Sequence, residues 1–517
     1  MKTNPPNLLR SILTFLLAVN FCSAMALADL KVASPFTDHM VLQQKMKIPV
    51  WGWATPGENI TVTFAGQTQS ATAAADGAWR VDLDAMDASF VSRSMQIAGG
   101  TDSPITLTDV LVGEVWLCSG QSNMDFTVYN TPKYYFAGTA NEDAEVAAAN
   151  YPNLRMFSGL WTKAYEPQQT IKGEWKICNP ENVKEFSAIG YFFARDLQKE
   201  LNVPVGILTE TFGASTAEAW VRREALMADP DLAPMLPPFD AAEKAYRALP
   251  PSATRPAPAA TQSATQTSGR RGRGPRVPAD PAQNQHNPTV MYNGMIAPII
   301  PYAIRGVLWY QGESILGPNH ATFVKTNEVL ITDWRKLWGY DFPFFFCQLA
   351  ALDASSNTPA VREMQSEALS IPHTGMAVTI DIGDKKNVHP KDKQDVGLRL
   401  MKIALAKVYG KDIEYSGPIF DSMKIEGSTI RISFTHAKGL MAKGEDLKTF
   451  EIAGSDGKYF PATATIDGET VIVSSPAVTA PVSARYAWAN YPDGCNLYNG
   501  DGLPAAPFRT DGPRETQ

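Results

Sequence analysis

Residues suited to nucleophilic catalysis follow the ends of four separate apolar segments in this chain of 517 residues: Ser122, Gly213, Gln311 and His389. Serine is a weak nucleophile until a base removes its proton. An imidazole can take that proton near neutral pH and return it to the leaving group. Amide groups can stabilise the oxyanion that forms in between. Together these residue types are the set found in serine hydrolases.

We therefore assign Ser122 as the candidate nucleophile and His389 as the candidate base. Pro390 disfavours helical backbone at the residue before it, which keeps His389 on a loop ahead of the next helix. The backbone amides of Ser122 and Gly213 and the side-chain amide of Gln311 are the candidate oxyanion donors.

A structural turn is the alternative interpretation of the Ser122 region, and other residues compete for both roles. Gly120–Met124 departs from the G-x-S-x-G pattern, because Met124 replaces the second glycine. Ser119 and Ser215 are rival serines. The remaining histidines lie in flanking regions or do not directly follow an apolar segment: His39, His286, His320, His373 and His436. Spacing alone leaves the hydrolase and the turn both open.

Five apolar segments separated by helical stretches predict an α/β fold with a parallel sheet covered on both faces. They span residues 110–117, 203–208, 306–310, 343–347 and 376–380. Ligands of such sheets bind outside the carboxyl ends of the strands, which is where the candidate residues stand. Beyond the last segment, Val396, Leu400, Ile403 and Val408 recur at helical spacing, and Gly410 is a plausible stop.

Two β-rich regions flank this central part. Short runs at 48–53, 59–64 and 79–83 predict a small β-sandwich-like domain over residues 29–108. Runs at 429–434 and 471–473 predict a second β-region over residues 413–517, which leaves 109–412 as the catalytic domain. Residues 250–288 are rich in Pro, Ala, Thr, Ser and Gln, a composition that predicts a flexible low-complexity insert.

Residues 1–28 have the pattern of a cleaved signal peptide, which predicts a secreted or periplasmic protein. Lys2 and Arg10 precede or flank an apolar stretch, and Ala26–Ala28 offers a small-x-small cleavage site. The formal net charge of −7 makes nucleic acid and anionic membranes poor partners. No later stretch is apolar enough to cross a bilayer. Four further cysteines permit disulfides but predict no pairing: Cys118, Cys178, Cys347 and Cys495.

The stretch around Ser122 resembles the first block of the SGNH hydrolases, and more closely the sialate O-acetylesterase family of carbohydrate esterases. The resemblance continues through blocks at residues 212–220, 292–298, 309–314, 379–384, 389–394, 485–490 and 507–511. It implies a three-layer α/β/α SGNH-hydrolase-like domain that removes acetyl groups from sugar hydroxyls without metal or cofactor. Ser122 would be the nucleophile and His389 the base.

The acid that orients His389 is where the chain departs from the family pattern. Asn387 stands where many relatives carry an acid two residues before the histidine, and Lys386 occupies the position three before it. Ile315 also replaces the polar residue expected after Gly312-Glu313-Ser314. The resemblance makes Glu313 the first choice for the acid, followed by Asp384 and then Asp381. A purely structural Glu313 that caps backbone amides remains open.

The sequence thus predicts an exported carbohydrate O-acetylesterase whose partner is an O-acetylated carbohydrate. Acetylated sialic acid and acetylated plant polysaccharide such as xylan both remain open, and no oligomeric state is predicted. One alternative is a carbohydrate-binding protein with a degenerate site. The other is a metal-dependent phosphoesterase that uses Asp381, Asp384 and His389.

Overall fold

A computed structural model describes residues 29–100, 102–131, 136–250, 279–315, 322–353, 357–444 and 446–512. The predicted signal peptide and residues 251–278 of the predicted insert lie outside these described residues. No helix within the described ranges is long and apolar enough to cross a membrane.

The N-terminal part consists of strands joined by glycine-containing turns. The strands are β1 (Lys31–Val32), β2 (Val41–Gln43), β3 (Ile48–Trp53), β4 (Asn59–Phe64), β5 (Gln67–Thr72), β6 (Ala78–Leu83), β7 (Ser89–Gly99) and β8 (Ile105–Gly120). Most show the alternating burial of a sheet with one face in the core, as β4 and β6 do.

The central part alternates strands with helices. In chain order its elements are α1 (Ser122–Asp125), α2 (Glu142–Ala148), β9 (Tyr151–Gly159), β10 (Gly173–Cys178), α3 (Ala188–Leu201), β11 (Val205–Thr211), α4 (Arg223–Ala228), α5 (Leu236–Arg247), β12 (Gly306–Tyr310), α6 (Phe323–Trp338), β13 (Phe344–Cys347), α7 (Thr358–Glu367), β14 (Thr374–Ala377) and α8 (Gln394–Lys407).

The main sheet of the central part has the strand order β10-β9-β11-β8-β12-β13-β14. All neighbours pair in parallel except the edge strand β10, which is antiparallel to β9. After β8, the next three strands along the chain, β9 to β11, lie on one side of it, and β12 to β14 lie on the other side. The carboxyl end of β8 is therefore a topological switch point, the place where open α/β sheets bind ligands.

Helices and aromatic side chains cover both faces of this sheet. On one face, Trp116 of β8 packs against Phe193 of α3 and Phe345 of β13, with ring centroids 5.1 and 5.7 Å apart. On the other face, Trp309 of β12 lies 6.1 Å from Trp334 of α6. Each such aromatic pair stabilises the fold by about 0.5–1.5 kcal/mol beyond the burial of its area. Side chains therefore pack on both faces of the sheet around β8, the strand that leads to Ser122.

The C-terminal part is again made of strands and has its own core of buried side chains. The strands are β15 (Ile419–Glu426), β16 (Thr429–Thr435), β17 (Met441–Ala442), β18 (Phe450–Ala453), β19 (Tyr459–Pro461), β20 (Thr463–Asp467), β21 (Thr470–Ser474), β22 (Ser483–Tyr486), β23 (Leu497–Tyr498) and β24 (Phe508–Arg509). The buried Arg362 of α7 joins this part to the central one, since its guanidinium donates to the carbonyls of Ala489 and Asn490.

The mixed α/β class predicted from the sequence is confirmed, and each of the five apolar segments overlaps a strand. The chain differs from the prediction in three details. The boundary expected between residues 108 and 109 falls inside β8, which pairs with β7 at its start and with β11 at its end. The strands β9 and β10 extend the main sheet without having been predicted. The strand β14 ends at Ala377, three residues before the end of the last apolar segment.

Candidate active site

Ser122 is positioned by the abrupt end of β8. Gly120 has a φ of +127°, and a methyl group on it would lie 2.3 Å from the carbonyl oxygen of Tyr310, so this position requires glycine. The amide of Gln121 then donates to that same carbonyl at 2.9 Å. The helix α1 begins directly at Ser122, whose amide is therefore one of the first-turn groups without an acceptor inside the helix.

His389 lies on the segment between β14 and α8 and contacts the serine directly. Its Nε2 is 2.7 Å from the Oγ of Ser122, and the two residues are 6% and 5% exposed. The backbone amide of His389 donates to the side-chain oxygen of Asn387 at 2.9 Å. Two residues that are 267 positions apart thus form a buried hydroxyl–imidazole pair at the carboxyl edge of the sheet.

The protonation state of His389 follows from its surroundings. Burial lowers the pKa of the imidazole, and the nearby ammonium group of Lys393 lowers it further, to about 4. The ring is therefore neutral at pH 7. Neutral imidazole is the form that can accept a proton from Ser122.

The predicted oxyanion donors lie at different distances from the serine. A methyl group on Gly213 would lie 3.8 Å from the Cβ of Ser122, so the Gly213 backbone borders the hydroxyl. The ring of Phe136 lies beside both Gly213 and His389, at 5.2 Å from the imidazole centroid. The buried Gln311 points its Nε2 at the carbonyl of Ser215, at 3.4 Å. Ser122 and Gly213 are thus brought together directly, and Gln311 borders the loop that carries Gly213.

The three candidate acids each have a hydrogen-bond or ion-pair partner in the structure. The carboxylate of Glu313 accepts a short hydrogen bond from the side chain of Asn123. Asp384 accepts from the backbone amides of Lys386 and Asn387, at 2.8 and 3.0 Å. Asp381 forms an ion pair with Arg399 at 2.7 Å. The side-chain amide of Asn387 caps the His389 backbone and brings no carboxylate.

A buried network of Asn123, Lys393 and Glu313 adjoins the pair, and the sequence-based assignment missed two of its members. Asn123 donates from Nδ2 to Glu313 and, at 3.0 Å, to the carbonyl of Val388. Lys393 is completely buried and donates to the Oδ1 of Asn123 at 2.6 Å. Burial lowers the pKa of Lys393 to about 7 and raises that of Glu313. Asn123 thereby ties the helix that begins at Ser122 to the segment that carries His389.

The signals for these missed residues were weak. Asn123 directly follows the candidate nucleophile, and Lys393 stands four residues after His389 in the block His389–Gln394. Neither position has a spacing that distinguishes it from an ordinary polar residue of a turn or a solvated helix start.

The rival serines and histidines have other partners. Ser119 donates to the carbonyl of Glu210, and Ser215 donates to the carbonyl of Phe212. His39 pairs with Asp109 and His436 pairs with Glu414, each at 2.7 Å. Of the other three histidines, His373 lies in the turn before β14 and His320 lies outside the described residues. His286, from the described end of the predicted insert, contacts the carbonyl of Ala214 at 2.8 Å.

All four described cysteines are free thiols. No group of three or more His, Cys, Asp and Glu side chains in the described ranges is arranged to hold a metal ion. Asp381, Asp384 and His389 in particular have separate partners.

Known proteins resemble this chain over nearly its whole length. The family model for carbohydrate esterases described as sialic acid-specific acetylesterases matches residues 282–406. A solved carbohydrate acetylesterase from Xanthomonas citri is 34% identical, with a TM-score of 0.78 and coverage of 93% of this chain and 99% of that one. The sialate O-acetylesterase of Rattus norvegicus is 29% identical, with 96% of this chain and 97% of the relative covered. That of Homo sapiens is 28% identical, with 92% of each covered.

Proposed function

Because the chain belongs to the sialate O-acetylesterase family of carbohydrate esterases, we propose that it removes acetyl esters from sugar hydroxyls through a serine acetyl-enzyme. The observation that carries the proposal is the distance of 2.7 Å between the Oγ of Ser122 and the Nε2 of His389. A nucleophile and base within hydrogen-bond reach are the signature of covalent acyl transfer.

In the acylation step, the Oγ of Ser122 attacks the acetyl carbonyl carbon while its proton passes to the Nε2 of His389. The carbonyl oxygen becomes an oxyanion, for which the backbone amides of Ser122 and Gly213 and the side-chain amide of Gln311 are the assigned donors. Loss of one such donor typically lowers the rate by about 10²–10³-fold. The bond to the sugar oxygen then breaks, and His389 returns the proton to that oxygen.

In the deacylation step, a water molecule replaces the sugar. His389 takes a proton from the water, whose oxygen attacks the acetyl carbon on Ser122. Collapse of the second oxyanion releases acetate, and the proton held by His389 restores the serine hydroxyl. The low pKa of His389 supports this cycle, since the neutral base is regenerated after each proton transfer at neutral pH.

We assign Glu313 the role of a positioning residue that acts through Asn123. Its carboxylate holds the Asn123 amide, and that amide also holds the carbonyl of Val388, the residue before His389. Lys393 fixes the opposite end of the same amide. Glu313, the first choice for the acid, would thus orient His389 indirectly, through Asn123.

Two further proposals concern organisation and location. The catalytic unit would be an SGNH-like three-layer α/β/α domain over residues 109–412, with sandwich-like β-regions at 29–108 and 413–517. Support comes from the parallel sheet with packing on both faces. The chain would be exported after cleavage at residue 28, which the leader pattern alone supports.

The test of the proposed function is acetate release by the purified chain from a panel of acetylated glycans, including O-acetylated sialic acid and acetylated xylan. A serine-directed phosphonate should inactivate the protein and label Ser122 in a peptide map, whereas a chelator should leave the activity unchanged. Loss of activity with chelator would support the phosphoesterase alternative. Sugar binding without hydrolysis of any member of the panel, or of 4-nitrophenyl acetate, would support the degenerate binding protein.

The charge of Lys393 leads to a prediction about pH dependence. His389 is an active base only when neutral, so kcat/KM should fall as the pH drops through the imidazole pKa of about 4. Lys393→Met removes a neighbouring positive charge that disfavours imidazolium, so the acidic limb should move upwards towards the unperturbed value of about 6.5. Burial still depresses the pKa, and the shift should therefore be partial. A pH profile of kcat/KM on 4-nitrophenyl acetate measures it.

Lys391→Met is the matched control for this profile, because Lys391 is exposed and two residues away in the same segment. Its acidic limb should coincide with that of the parent. An unmoved limb in Lys393→Met would show that the Lys393 charge does not act on His389.

A further inference from the structure

A cleft of about 530 Å³ adjoins the candidate active site and has no role in the acetyl transfer itself. It lies at the carboxyl ends of β9 and β11, and Asp125, the last residue of α1, borders it. Thr211 of β11 donates to Asp125 at 2.7 Å. Because α1 begins at Ser122, the border of the cleft lies roughly 5 Å along the helix axis from the nucleophile. Its volume is in the range of sites that bind small molecules.

Hydroxyl groups dominate the buried part of this cleft. Thr127, Ser187, Thr209 and Thr211 all line it and are between 2% and 6% exposed. The Oγ1 of Thr209 has no hydrogen-bond partner within the part of the chain that the structure describes. A buried hydroxyl is usually hydrogen-bonded, so an unpaired one at a cleft indicates a polar ligand or water as its partner. The other three hydroxyls donate within the protein and offer acceptor lone pairs, whereas Thr209 can both donate to and accept from the hydroxyl groups of a sugar.

The rim of the cleft adds an apolar surface. Leu160 is 58% exposed, and the next residue, the half-buried Trp161, also lines the cleft. The Trp161 ring lies 5.3 Å from the ring of Phe212, the residue before Gly213. A large, rigid aromatic surface next to buried polar groups can cover the C–H face of a sugar ring while the hydroxyls bond below.

The charges of the cleft argue against an anionic sugar. Three carboxylates line it, on Asp125, Glu174 and Glu185, against two amines, on Lys172 and Lys176. Lys176 lies 3.5 Å from Glu174 and 4.0 Å from Glu185, which offsets its charge. Lys172 is the one lining amine that forms no ion pair among the described residues. Carboxylates therefore outnumber amines by three to two, and a ligand carboxylate would face more like charge than opposite charge. Juxtaposed like charges disfavour such a complex.

We propose that this cleft binds the neutral glycan chain that carries the acetylated sugar, so that the substrate is an acetylated neutral oligosaccharide or polysaccharide. The inference rests on the proposed esterase function and deepens it by naming the class of glycan. The acetyl group would lie at Ser122 while neighbouring sugar units occupy the hydroxyl-lined cleft beside Trp161.

The experiment compares acetate release from acetylated xylo-oligosaccharides, from a monosaccharide to a hexasaccharide, with release from N-acetyl-9-O-acetylneuraminic acid. In the parent, kcat/KM should rise with the length of the neutral chain and exceed the value for the sialic acid. Trp161→Ala should remove most of that rise, with the KM for the hexasaccharide about tenfold higher. Thr209→Val keeps the side-chain shape, and its KM for the hexasaccharide should be about threefold to tenfold higher, since one hydrogen bond is lost.

Phe460→Ala is the control, because Phe460 is an aromatic residue 37% exposed on the C-terminal β-region. It should leave the length dependence as in the parent. Hydrolysis of 4-nitrophenyl acetate by each variant reports on folding and on the acetyl-transfer site. A parent without any length dependence, or one that prefers the sialic acid, would overturn the inference while leaving the esterase intact. A parent inactive on every acetyl ester would instead overturn the proposed function.

Discussion

Ser122→Ala is expected to lower kcat/KM for acetate release by about 10⁴-fold or more. A loss of 10⁴ corresponds to about 5.4 kcal/mol of transition-state stabilisation. The reason is chemical, because alanine cannot form the acetyl-enzyme, and the residual rate then comes from binding and oxyanion donors alone. The Oγ lost in this variant is the atom that lies 2.7 Å from the Nε2 of His389. Acetate release from an acetylated glycan and from 4-nitrophenyl acetate measures the effect.

The controls for this variant are the two neighbouring serines that the sequence left as rivals. Ser119→Ala and Ser215→Ala remove hydroxyls that bond to the carbonyls of Glu210 and Phe212. Both should retain kcat/KM within tenfold of the parent. The nucleophile would have to be reassigned if Ser122→Ala kept more than a few per cent of the activity while the Ser119 or the Ser215 variant was inactive. The serine of the inactive variant would then be the nucleophile. Intact protein mass after rapid quenching should show the acetyl adduct in the parent and none in Ser122→Ala.

His389→Gln is expected to produce the second large loss, again about 10⁴-fold or more and mainly in kcat. Glutamine can hydrogen-bond to the serine but cannot accept its proton. The imidazole accepts and returns a proton during the chemical step and does not contact the glycan chain. KM should therefore change much less than kcat. The acidic limb near pH 4 should also disappear, since the group that titrates there is gone.

A double variant separates a catalytic pair from two independent contributions. If Ser122 and His389 act as one unit, Ser122→Ala/His389→Gln should be no slower than the slower single variant. A double variant whose loss of rate equals the product of the losses of the two single variants would contradict that coupling. His436→Gln is the matched histidine control: its Nδ1 lies 2.7 Å from a Glu414 oxygen in the C-terminal part, and its activity should equal that of the parent.

The histidines illustrate why a partner alone does not identify a catalytic residue. His39 and His436 each contact a carboxylate, as the base of a triad would, but those pairs lie in the flanking β-regions. His389 contacts the serine hydroxyl at a topological switch point of the main sheet. Position at a strand end, which the sequence revealed, was therefore the more useful criterion.

The predictable part of the fold consists of features encoded by local composition. The segments that became β8, β11, β12, β13 and β14 are apolar because a parallel strand inside a covered sheet is buried on both faces. The edge strand β10 and its neighbour β9 were not predicted because their burial is uneven, with exposed positions in each. The domain boundary at residue 108 could not be placed because β8 is one continuous strand that serves two sheets.

By itself, the sequence determined the class of fold and the family and predicted a nucleophilic site, because these depend on short-range patterns and ordered motifs. Only the tertiary structure decided which side chains meet there. The contact from Asn123 to Glu313 joins residues 190 positions apart, and the contact from Lys393 to Asn123 joins residues 270 positions apart. The position of Glu313 in the sequence would be the same whether its carboxylate contacted the imidazole of His389 directly or acted through Asn123. The difference is a few ångströms of loop placement, which long-range packing sets.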